Sequence, residues 1–175
     1  MKWVGIIVAA LALLALIVIG IGAALPQAHS ATRAAHFSQP PETIWKTITT
    51  PEEFPSWRTG VKRVEILPNR NGHVSWREFD SHGGSMPYEI VEWTPPSRLV
   101  TRIANPNLPF GGTWTYQIQP SAGGACSTLR ITENGEVYNP FFRFVSRFLI
   151  GYHATMDGYL RALGKKLGEN VSLEN

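Results

Sequence analysis

Two carboxylates sit where strand alternation places them beside large apolar side chains. In HVSWREFD (73–80), Trp76 and Glu78 share one face, while Arg77 and Phe79 share the other. In CSTLRITENGEV (126–137), Leu129, Ile131 and Glu133 fall on a common face. A carboxylate on an apolar face is costly unless it is paired. If paired there, it becomes a candidate for orienting a ligand or moving a proton. The plainer reading, a bulge or an exposed strand end, is favoured for both. With Tyr88 of the segment SMPYEIVEW (85–93), Glu78 and Glu133 are the groups that proton-transfer chemistry would use.

Large aromatics form the second set. Trp76, Trp93 and Trp114 lie in strand-like segments, with Tyr88 and Tyr116 near them in the pattern. Such side chains mostly fill cores, and their polar tips then find partners. As a set they also suit the wall of an apolar pocket, where a few polar groups orient a ligand. Trp57, Trp76, Tyr88, Trp114, Tyr116, Phe141, Phe144 and Phe148 are the candidate lining residues, with Glu78 and Glu133 as polar groups among them. No catalytic residue is assigned.

Other chemical templates fail. HGGSMP (82–87) lacks the spacing of a nucleophile elbow and precedes a strand rather than a helix. The five histidines are scattered, with no His-Glu-x-x-His. Cys126 is the single cysteine, so neither an internal disulfide nor a cysteine metal cluster can form. It reads as a buried, inert thiol. No metal or cofactor is expected. The net charge of +3 includes Lys2, ahead of the apolar run, and no dense basic stretch exists, so nucleic acid is not an expected partner. Nothing in the pattern selects an oligomeric state.

The elements that would carry these residues follow from periodicity. Residues 3–25 hold no charged or strongly polar side chain. In helical form they span about 34 Å, enough for a hydrocarbon core. A signal peptide has a shorter apolar region, of about 7–15 residues, so a retained anchor is the expectation, with cleavage at the small residues of AHSA (28–31) as the alternative. Lys2 lies on one side and the first following charge is Arg33, which favours a cytoplasmic N-terminus and an extracytoplasmic domain. Residues 26–30 read as a linker.

A first strand (31–37) leads to a short helix that opens at Pro41. A proline-broken second turn follows. Strand-like segments then cover 61–67, 73–80, 85–93, 98–104, 112–120 and 126–137, with turn chemistry between them. Short connections imply antiparallel pairing.

From Pro140 to about Leu167 the apolar period becomes helical. Phe141, Phe144, Val145, Phe148, Tyr152, Met156, Tyr159 and Leu163 fall on one stripe. Arg143, Arg147, Arg161, Lys165 and Lys166 read as a solvated face, and residues 168–175 as a frayed tail. The expected fold class is α+β. A curved antiparallel sheet of about seven strands wraps a long C-terminal helix, with two short helices after the first strand and one transmembrane helix ahead. The domain covers 31–167.

This order resembles the helix-grip fold of the START-like superfamily, also called SRPBCC or polyketide cyclase/dehydrase-like. FSQPPETIWKTITTPEEFPSW resembles the family's opening, with Pro41, Trp45 and Trp57 at its marked positions. PPSRLVTRI (95–103) and LPFGGTWTY (108–116) are similar to its mid-sheet passages. The resemblance implies a cavity between sheet and terminal helix that holds an apolar ligand. The expected function is therefore a membrane-anchored domain binding a hydrophobic small molecule or lipid. Two alternatives stay open: an enzyme resembling polyketide cyclases and aromatases, and an interaction module of a membrane assembly.

Overall fold

The computed structural model describes residues 2–70 and 72–175. Helix α1 (Lys2–Ala24) is long and apolar enough to cross a membrane. Its large side chains are exposed along its length, from Trp3 to Ile21.

Strand β1 (Ala28–Phe37) starts three residues earlier than its pattern suggested, because Ala28–Ser30 pair with Asn134–Glu136. The expected linker thus shrinks to the residues around Pro26. Helix α2 (Pro41–Ile48) begins on Pro41, whose missing N–H costs nothing in a first turn, and carries Glu42 there. A 3₁₀ turn follows at Pro51–Ser56.

Six strands then run in a meander: β2 (Arg63–Arg70), β3 (His73–Phe79), β4 (Ser85–Thr94), β5 (Arg98–Ile103), β6 (Phe110–Ser121) and β7 (Cys126–Val137). Strand β7 turns back onto β1. The sheet order is β2-β3-β4-β5-β6-β7-β1-β8, all antiparallel. The eighth strand, β8 (Leu173–Glu174), was not expected. It docks on Ala34–Ala35, so the tail is tied down rather than frayed. The Glu169 carboxylate holds it further by accepting from the Ser38 N–H at 2.9 Å.

The terminal helix departs most from its pattern. In place of one helix there are α3 (Pro140–Val145), a π-helical turn (Ser146–Ile150) and α4 (Ala154–Lys166). Asn139 caps α3, its side-chain oxygen accepting from the N–H groups of Phe141 (2.9 Å) and Phe142 (3.4 Å). The π turn closes when the Gly151 N–H donates to the Ser146 carbonyl at 2.9 Å. Gly151 has φ of 78°, which a glycine adopts without strain. The wide turn and the break rotate the two halves of the apolar stripe apart.

The core lies between the concave sheet face and two helices. Met156, Tyr159, Leu160 and Leu163 of α4 and Ile44, Trp45 and Ile48 of α2 pack on Ala35, Phe37, Ile118, Leu129 and Ile131. Leu160 and Leu163 are fully buried. Truncating either to alanine would cost about 2–5 kcal/mol. Arg33 reaches from β1 to Asp157 at 2.8 Å and fixes the roll of α4.

Candidate functional site

Between the sheet and the α3–α4 segment lies a cavity of about 420 Å³. That is within the size range of small-molecule sites. Strands β3 to β7 supply one wall, and Phe142, Val145, Ser146 and Ile150 the other. Its inner end is lined by buried residues, among them Phe54, Trp76, Leu99 and Tyr116.

Trp76, Glu78, Tyr88, Trp114, Tyr116 and Glu133 all face this cavity, as strand alternation allowed. The favoured reading of the two carboxylates, a bulge or exposed end, does not hold. Glu78 is buried and part of a regular ladder, opposite Met86 and Val64. Trp57, Phe141, Phe144 and Phe148 do not line the cavity. Trp57 packs behind it, edge-on to Tyr159 at 5.3 Å and to Phe54 at 5.7 Å. Phe141 and Phe148 point outward, and Phe144 packs on Phe148 at 5.0 Å. For the three phenylalanines the π turn explains the difference, since a uniform helical period put them on the face of α4 that packs on the sheet.

Arg58 makes the buried carboxylate tolerable. It follows the 3₁₀ turn and reaches the inner end of the cavity, where its Nη1 pairs with Glu78 Oε1. The same oxygen accepts from Trp76 Nε1 at 3.0 Å. The guanidinium also stacks over the rings of Phe54 (4.8 Å) and Tyr159 (5.2 Å). Burial opposes the Arg58 charge. Glu78, followed by Tyr159, Tyr116 and Tyr88, raises it, and the net pKa lies above that of a free arginine.

Three phenols surround this pair. Burial first, then proximity to Glu78, pushes Tyr88 far above an ordinary tyrosine. Burial likewise pushes Tyr116 up to about 12. Tyr159 is raised well above its usual value, by burial first and Tyr116 second. All three hydroxyls are therefore neutral donors at physiological pH.

A second polar group lies nearer the rim. Glu133 accepts from Trp114 Nε1 at 2.9 Å and pairs with His29 Nε2 at 3.3 Å. The His29 ring stacks on Tyr152, with centroids 3.9 Å apart. Gly135 makes room for this, because a Cβ there would overlap the His29 ring. A His–Glu pair of this kind can hold or relay a proton. Among the described residues, no three His, Cys, Asp or Glu side chains converge as a metal site.

Arg58 and His29 escaped the sequence reading. Arg58 sits in a proline-broken loop with no period to assign it a face. His29 lies in the stretch read as linker.

The comparisons agree with this architecture. The family described as polyketide cyclase/dehydrase and lipid transport matches residues 28–168. The chain belongs to this family. Solved structures give the same fold. A START superfamily protein from Mycobacterium smegmatis superposes with a TM-score of 0.64 at 17% identity, covering 80% of this chain and 97% of that one. An aromatase/cyclase from Streptomyces sp. R1128 gives 0.63 at 10% identity, covering 78% and 91%. Norcoclaurine synthase from Thalictrum flavum gives 0.62 at 10% identity, covering 80% and 94%. At these identities the likeness concerns the fold. No curated protein matches the sequence. The expected START-like, α+β helix-grip architecture is thus present, with eight strands among the described residues in place of about seven.

Proposed function

We propose that this chain is a membrane-tethered domain that holds one hydrophobic small molecule or lipid in the cavity between sheet and C-terminal helices. The observation that carries the reading is the cavity itself: largely apolar walls around about 420 Å³, closed at its inner end by the Arg58–Glu78 pair and neutral phenols. An apolar body fits the walls. A polar end, such as a hydroxyl or carbonyl, fits the donors of Arg58 and the Tyr88 hydroxyl, which would leave its weak bond to Met86 Sδ at 3.2 Å. A second full negative charge would meet Glu78 there, so an uncharged polar end fits best.

The tether in this reading is α1, retained as a single-pass anchor with Lys2 on the cytoplasmic side and the domain outside. The family's description, which includes lipid transport, supports the ligand class.

Native mass spectrometry of the full chain released from lipid nanodiscs tests the reading. One extra mass that organic solvent removes is expected. It should be absent from Leu99→Trp, which fills the inner cavity. A bare mass for the unmodified chain, with added fatty alcohols failing to bind, would overturn it.

A further inference from the structure

Helix α3 does not stand clear of α1. Gly22 is the buried residue of α1, and a Cβ there would overlap the Pro140 carbonyl. Arg143 reaches back from α3 and donates to the Leu25 carbonyl at 2.8 Å and, more weakly, to that of Ala23 at 3.5 Å. These are orphan acceptors at the end of α1, so the arginine caps that helix and fixes α3 beside it.

The contact continues down α1. Phe141 shares an apolar groove with Leu14, Val18 and Ile19. At 1.5 Å per residue, Val18 and Leu14 lie roughly 6 and 12 Å below Gly22 along the helix axis. A ring seated there shares whatever solvent surrounds that part of α1.

The rest of the segment presents more apolar surface. Phe142 is 43% exposed, Phe148 57%, Leu149 73% and Ile150 60%. Four such neighbours in nine residues are unusual on a water-facing surface. Arg147 is the exposed cation among them, on a stem long enough to reach headgroups.

The same segment forms the cavity mouth. Phe142 and Ile150 line the cavity and are exposed, whereas the lining residues at the Arg58 end are buried. We propose that Pro140–Ile150 is seated in the lipid bilayer beside α1, so that the mouth of the cavity faces acyl chains rather than water. The occupant of this apolar face is the bilayer that α1 enters. The inference rests on the reading of α1 as a retained anchor and deepens the ligand-binding reading.

The test uses the full chain in phosphatidylcholine vesicles, with Cys126→Ser removing the native thiol. Leu149→Cys and, separately, Ser121→Cys carry an environment-sensitive fluorophore. Both positions are exposed, so neither label disturbs the core. The Leu149 probe should be quenched by brominated acyl chains and shielded from aqueous iodide. The Ser121 probe, at the end of β6, should show the reverse. Equal iodide quenching at the two positions would overturn the proposal, as would release of the chain by alkaline carbonate. Failure of the ligand reading looks different: a bare mass in the native spectrum while the Leu149 probe remains shielded.

Discussion

The carboxylate of Glu78 meets the guanidinium of Arg58 at the inner end of the cavity, and Trp76 Nε1 donates to the same carboxylate oxygen. Each charge is held away from water and depends on the other. Removing one partner leaves the other uncompensated, which is more costly than removing both. Glu78→Gln and Arg58→Met should each lower stability by about 3 kcal/mol. The double variant should lose less than the sum of the two. Urea unfolding of the unmodified chain and the three variants checks this, and strictly additive losses would show that the pair is not coupled.

The phenols make a separate prediction at alkaline pH. Tyr88, Tyr116 and Tyr159 all have folded-state pKa values above the ordinary one. Below about pH 10 the phenols are protonated in both states and contribute no slope. Above it the unfolded chain releases protons that the folded chain retains, so stability falls as pH rises. With three such groups the slope approaches about 4 kcal/mol per pH unit. Tyr116 limits its share first, as pH passes its folded value of about 12. Chemical unfolding at pH values on either side of this onset, with tyrosinate absorbance followed in parallel, reads both quantities. A flat stability profile would contradict the burial of these hydroxyls.

Gly135 and His29 make a third case. The glycine lies opposite His29 in the β1–β7 ladder, and a methyl group there would collide with the imidazole ring. Gly135→Ala should displace His29 from Glu133 and from its stack on Tyr152, at a cost of about 1–3 kcal/mol. The His29 imidazole signals in a magnetic resonance spectrum should shift. His29→Ala combined with Gly135→Ala should recover most of the stability. If it does not, the clash lies with the backbone of the ladder instead.

These residues mark where the sequence was legible. Strand alternation put Trp76 with Glu78, and Glu133 with Leu129 and Ile131, on common faces, because a period of two leaves only two faces, but it did not say that those faces line a cavity. It could not reveal that Glu78 was paired, since Arg58 arrives from an aperiodic loop twenty residues earlier. The strand segments lie within a few residues of their expected positions, since turn residues punctuate them. The terminal helix was misread for the opposite reason. Phe141, Phe144 and Phe148 keep a helical spacing, and nothing in that spacing encodes one wide turn. A single glycine such as Gly151 does not by itself mark the end of a π turn.

Arg143 shows how a residue read as solvated can join two elements. It is 9% exposed, donating through Nη1 to Leu25 and through Nη2 to the Tyr138 carbonyl at 3.2 Å. Arg143→Ala removes donors from carbonyls that lie between α1 and α3, at a cost of about 1–3 kcal/mol. That loss should be local. Hydrogen exchange in Tyr138–Ile150 should accelerate, while the amides of β6 and β7 keep their protection. Arg143→Lys should restore only part of it, because one ammonium cannot match the fork that spans Leu25 and Tyr138. Uniform acceleration across the sheet would mean that Arg143 supports the whole domain rather than the junction with α1.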